Sequence, residues 1–186
     1  MTGLMALWLP ILLSAVVVFI ASSIIHMFTR WHNSDFATLP DEEKVRAALG
    51  PLKIPAGDYA VPKPVSMEDM KSSGFAEKHK TGPVVVMTVM TPGPISMSGS
   101  LVGWFVFCLV VSLLAGYAAG LTIAPGAAYM TVFRTVSTVT FMGYALAAWP
   151  LTIWYKRNLG TTIRGTIDAL LFGLLTAGVF GWLWPR

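Results

Sequence analysis

The sequence predicts an all-α membrane protein: a four-helix transmembrane bundle with a compact, partly extended extramembrane loop module between helices 1 and 2. Three observations predict it. The 186 residues are 55% hydrophobic and only 12% charged, whereas soluble domains are about a quarter charged. Four apolar stretches reach the ~20 residues that a helix needs to cross a bilayer. The charges gather between the first two stretches, where residues 29–97 hold eight Lys/Arg and eight Asp/Glu.

The first span, residues 3–28, reads GLMALWLPILLSAVVVFIASSIIHMF. At ~1.5 Å per residue it is ~39 Å long, enough to cross with some tilt. No charged side chain precedes Arg30. The segment therefore lacks the basic start of a cleaved signal peptide and reads as a retained span. Pro10 marks a mild kink or the start of the regular helix.

The loop module, residues 29–97, is nearly neutral. LPDEEKVRAALGP reads as a short helix, with Pro40 in its first turn, three acids at its positive end and Gly50 as its stop. IPAGDYAVPKP is extended between its prolines, and SMEDMK and SSGFAEKHK make one or two helical turns each. Val84–Thr91, VVVMTVMT, is rich in β-formers and is expected to pair with residues near Tyr59.

The second span, residues 101–123, carries Gly116 and Gly120 in a GxxxG. The third, residues 129–154, has Pro150 to bend or end it. Thr131, Thr135 and Thr138 fall on one side of it, with Arg134 among them. The fourth, residues 165–184, repeats small residues every four positions: Gly165, Ala169, Gly173, Ala177 and Gly181. Residues four apart sit one above another on a helix, so these make a shallow ridge, and small residues let helices approach closely in lipid. The two glycine-bearing spans are expected to pack together, although each ridge equally suits a partner chain.

Orientation follows from basic residues near span ends. Arg30, Lys156, Arg157 and Arg164 flank the loop side, against Arg134 and Arg186 on the other. The loop is therefore expected in the cytoplasm and both termini outside. Trp8, Tyr129, Trp182 and Trp184 mark one interface, and Trp31, Trp104, Trp154 and Tyr155 the other.

Few residues carry chemistry. A charge inside a span is costly, so Asp168 and Arg134 are functional suspects. Asp168 has two readings, an i, i+4 pair with Arg164 or a proton or ion role. Arg134 either snorkels to lipid phosphate, bonds threonine hydroxyls, or meets a carboxylate, at the chain's end or on a partner subunit. Of His26, His32 and His79, only His26 lies in a span and at its very end, so a haem on two facing histidines is not expected. Met67, Met70, Met87, Met90 and Met97, with His79, would suit Cu(I), or simply fill gaps in a small packed loop. Cys108 is the single cysteine and forms no internal disulfide. No GxSxG, HExxH, CxxC or P-loop pattern occurs, so catalysis and a bound cofactor or metal are not expected. The net charge of +4 is interleaved with acids rather than clustered, which argues against nucleic acid.

The opening GLMALWLPILLSAVVVFIASSIIHM, the LPDEEKV of the loop and the closing LLTAGVFGWLWP resemble a family of small, uncharacterised four-span bacterial inner-membrane proteins with no assigned activity. The resemblance covers the full length. It implies a retained first span and a bacterial inner-membrane location, and it transfers no functional residue. The leading expectation is a non-catalytic accessory or assembly subunit of a larger membrane complex, in contact with lipid and with other subunits. The alternative is a small oligomeric transporter or channel using Asp168, Arg134 and the threonines of the third span. A metal-handling loop protein is third.

Overall fold

The computed structural model of the protein describes residues 1–186. In chain order the elements are α1 Trp8–Phe28, α2 Glu42–Leu49, β1 Gly57–Val61, α3 Met67–Lys71, α4 Ser73–Thr81, β2 Val85–Val89, α5 Ser98–Thr122, α6 Tyr129–Ala145, α7 Trp149–Tyr155 and α8 Leu159–Trp182. They fall into two compact units, one of Met1–Ala37 with Ser96–Arg186 and one of Thr38–Ile95. Thr29–Ala37 thus folds with the spans, and the module is shorter than the expected residues 29–97.

Four helical runs are long and apolar enough to cross a membrane: Leu4–Phe28, Ser98–Thr122, Tyr129–Tyr155 and Leu159–Trp182. The protein is a multi-pass membrane protein. The fourth run starts six residues earlier than its apolar stretch, because Asn158 caps it by accepting from the Gly160 amide at 2.7 Å. The third run is interrupted. α6 ends at Ala145, a 3-10 turn covers Leu146–Ala148, and α7 follows with Pro150 in its first turn. Pro150 has no N–H for the Leu146 carbonyl and its ring crowds that oxygen, so the tighter turn replaces the missing α-helical bond.

The spans pack as a ring: α1 against α5 and α8, and α6 against α5 and α8. α5 and α8 are therefore diagonal, and the expected close pairing of the two glycine ridges does not form. The fully buried Phe180 ring of α8 reaches across instead, and a Cβ on Gly116 would lie 3.1 Å from it. Gly120 faces the backbone of Thr2, whose amide donates to the Gly120 carbonyl at 2.7 Å and whose hydroxyl donates to the Ile123 carbonyl at 2.9 Å. The α8 ridge lies largely along α6. A Cβ on Gly173 would be 3.1 Å from the Ser137 carbonyl, and one on Gly181 would be 2.6 Å from the Tyr129 ring. Ala169 and Ala177 are buried, whereas nothing stands within 4 Å of a Cβ on Gly165.

Polar groups tie the bundle where propensity cannot. The Ser14 and Ser112 hydroxyls meet at 3.2 Å between α1 and α5, and Trp104 Nε1 donates to Ser22 Oγ at 2.7 Å. Trp184 Nε1 donates to the Ala124 carbonyl at 3.0 Å, and the Gly126 amide donates to the Pro185 carbonyl at 2.8 Å. Thr2, the 124–128 turn and residues 184–185 therefore meet at one end of the bundle. Two of the expected belt tryptophans, Trp104 and Trp184, are turned inward by these bonds, while Trp8, Trp154 and Trp182 remain exposed.

In the second unit, Gly57–Val61 pairs antiparallel with Val85–Val89, with Tyr59 opposite Met87, as the sequence suggested. The cap of α2 is Asp41, one residue after Pro40, and its carboxylate accepts from the Lys44 amide at 3.1 Å. Ser66 and Ser72 cap α3 and α4 in the same way.

Candidate functional site

After α1 the chain turns back on itself. The Asn33 amide donates to the Arg30 carbonyl at 3.2 Å and the Asp35 amide to the His32 carbonyl at 3.0 Å. These turns set Trp31, His32 and Asp35 against α8. His32 Nδ1 lies 2.7 Å from Asp35 Oδ2, and His32 Nε2 lies 2.7 Å from Asp168 Oδ2. Trp31 Nε1 donates to the other Asp168 oxygen at 3.1 Å. Arg164 completes the chain of contacts, its Nε 2.8 Å and its Nη2 2.6 Å from Asp35 Oδ1.

The four ionisable side chains of this network are mostly covered, Asp168 most of all at 8% exposed. Its position nine residues into α8 puts it about 13 Å along the helix from Leu159. A bare carboxylate there would be costly, and the hydrogen bonds supply its partners. Burial raises the Asp35 carboxyl, but hydrogen bonds from His32 and Arg164 and their positive charge outweigh it and hold that group below the ordinary carboxylate range. A ring carrying protons on both nitrogens satisfies both carboxylates at once. With Arg164, the cluster then balances two cations against two anions.

His26, at the last turn of α1, stacks on His32 with ring centroids 4.2 Å apart and planes 9° from parallel. Its Nδ1 lies 2.9 Å from the Ser22 carbonyl. His26, His32 and Asp168 each offer one metal-ligating atom, all within 4.8 Å of one another. Beside them is a cavity of about 240 Å³ lined also by Trp104, Tyr144, Arg157 and Phe172. The Tyr144 hydroxyl is buried and has no hydrogen-bond partner.

Several expectations change here. The i, i+4 pair of Arg164 with Asp168 is absent, since Arg164 goes to Asp35 and Asp168 to His32 and Trp31. His26, at the end of its span, stacks on His32. The polar stripe of the third span does not join Asp168. Thr131, Arg134 and Thr138 are exposed on α6 and Thr135 is half-buried. Thr135 and Thr138 donate to their own helix at the Thr131 and Arg134 carbonyls. Arg134 has no ion pair within the chain. The buried hydroxyls of the α6–α8 pair are instead Thr140 and Thr176, both unpartnered. Among the methionines, Met97 belongs to the bundle unit and Met67, Met70, Met87 and Met90 to the other, with Met90 81% exposed. The contributions of His32 and Asp35 were missed, because nothing in a polar loop marks which residues fold back on a helix more than a hundred positions away.

No protein-family model, curated protein or solved structure matches the chain.

Proposed function

We propose that the protein is a non-catalytic subunit of a larger membrane complex, held to its partner by the outward face of α6. The observation that carries this reading is the exposure of Thr131, Arg134 and Thr138 on the third span. That span is the least apolar of the four and the least covered by the others. Ionisable residues within membrane helices almost always face a bundle interior or an aqueous cavity. Arg134 faces neither, and a neighbouring helix bearing a carboxylate would give it both cover and charge balance.

A second copy of this chain fits that role poorly. Eight of its nine acids lie in residues 29–97 and the ninth is Asp168, so an identical α6 would bring arginine to arginine. The occupant that the charges favour is a helix of a different membrane protein, with Asp or Glu near the same membrane surface. The glycine ridge of α8 is not the docking face, since α6 already covers most of it. We place the protein in a bacterial inner membrane with residues 38–95 on the cytoplasmic side. The resemblance and the basic residues Arg30, Lys156, Arg157 and Arg164 support this.

The transporter reading loses its common path. Asp168 turns inward at one end of the bundle, whereas Arg134 and its threonines turn outward near the other. The test is a charge swap. Arg134→Glu should release the partner from the purified complex, and an acid-to-arginine change in the partner's intramembrane helix should restore it. An Arg134→Glu chain that keeps its partner in full would overturn this reading and leave the arginine to lipid headgroups.

A further inference from the structure

We propose that His26, His32 and Asp168 bind a divalent transition-metal ion of the zinc class, at the cavity on the Trp31 end of the bundle. This proposal is independent of the subunit reading. Two imidazoles and one carboxylate are borderline-hard ligands. They suit Zn²⁺ and its first-row neighbours in a site with three protein ligands and an open position. The three ligating atoms lie within 4.8 Å of one another. Bonds of about 2.0–2.2 Å would set them roughly 3.4 Å apart, so the His32–Asp168 pair opens from 2.7 Å and the stacked imidazoles tilt toward one another to converge on the ion.

A second observation points the same way. A histidine that ligates a metal through one ring nitrogen almost always gives the other to a carbonyl or a carboxylate, which fixes the tautomer and aims the lone pair. Both histidines have this arrangement. His26 Nδ1 is 2.9 Å from the Ser22 carbonyl, and His32 Nδ1 is 2.7 Å from Asp35 Oδ2. Each ring therefore has Nε2 left for the ion. Asp35 is steadied in turn by Arg164, and one oxygen of Asp168 by Trp31. The ion would displace the proton between His32 Nε2 and Asp168 Oδ2. With both rings neutral, the immediate cluster of Asp35, Asp168 and Arg164 is net anionic. The fourth position would open on the cavity, which Tyr144 and Arg157 also line.

His26 separates a metal site from a purely structural network. It makes no hydrogen bond or ion pair to Arg164, Asp35, His32 or Asp168, although its ring stacks on His32, it is exposed, and it bonds only the carbonyl one turn back. The experiment is a Zn²⁺ titration of the full chain in mild detergent against a chromophoric competing chelator. One ion per chain is expected. His26→Ala should weaken binding at least tenfold, Asp35→Asn by about 10–100-fold as an outer partner, and His79→Ala not at all. Circular dichroism of the metal-free variants checks the fold. X-ray absorption on the wild-type zinc form, which needs no variant, should show two imidazole ligands with oxygen completing the shell. A wild-type chain that binds no zinc, a His26→Ala chain that binds as tightly as wild type, or an absorption spectrum without imidazole would each overturn the proposal.

Discussion

His32 Nε2 lies 2.7 Å from Asp168 Oδ2, a contact that spans 136 residues of sequence. It closes residues 29–37 onto α8 and gives the one carboxylate inside the spans its partner. Without metal, the network predicts that removing one member costs more than a surface pair would. Exposed ion pairs are worth about 0–1 kcal/mol, whereas breaking a buried pair costs about 3–5 kcal/mol by stranding a charge. These groups are 8–18% exposed, near the buried limit. Arg164→Gln is therefore expected to lower the thermal midpoint in detergent and to speed amide exchange across residues 29–37. Unchanged exchange there would show that the segment docks by other means.

The α6–α8 seam makes a sharper prediction. A Cβ on Gly173 would press on the Ser137 carbonyl, which is backbone and cannot swing aside, whereas one on Gly165 meets nothing within 4 Å. Overpacking costs about 1–3 kcal/mol. Gly173→Leu should lose folded yield from membranes, and Gly165→Leu should purify like wild type. Equal behaviour of the two variants would contradict the seam.

A pH effect is expected in the second unit. Hydrogen bonds from the Lys44 side chain and amide hold the Asp41 carboxyl below its ordinary value of 3.8. A carboxyl depressed on folding lends stability that is complete above the unfolded value and is lost as pH falls through the folded one. Protection of the α2 amides should thus decline at acid pH below about 3.8, and Asp41→Ala should lose protection at neutral pH and flatten this part of the profile. Exchange measured by mass spectrometry across a pH series checks both.

Much of the fold was legible because single segments carried it. Each span carries a predominantly apolar stretch long enough to cross a bilayer, and Pro150 announced the break in the third. The β1–β2 pair could be read from a run of β-formers and from prolines that bracket the other strand. The partners of the ridges could not be read. Four-residue spacing says that a helix can be approached closely, not by which neighbour, and in the structure the Phe180 ring of α8 stands against Gly116 of α5 across the centre. The cluster was hidden for a similar reason. Asp168 stood out as a charge in a span, but the nearby Arg164 was the wrong partner. The right ones, Trp31 and His32, follow α1 in a loop without periodicity. Arg134 was singled out by type, as a charge within a span. Which way it faces depends on how α6 sits between α5 and α8, and a single helix does not encode that.

The most direct test of the subunit reading is native mass spectrometry of the protein released from its own membrane in mild detergent. The expected result is the 20.1 kDa chain in fixed ratio with a different membrane protein that carries an acidic residue in a spanning helix, and loss of that species in Arg134→Glu. A wild-type chain that emerges alone, or only as copies of itself, would contradict it.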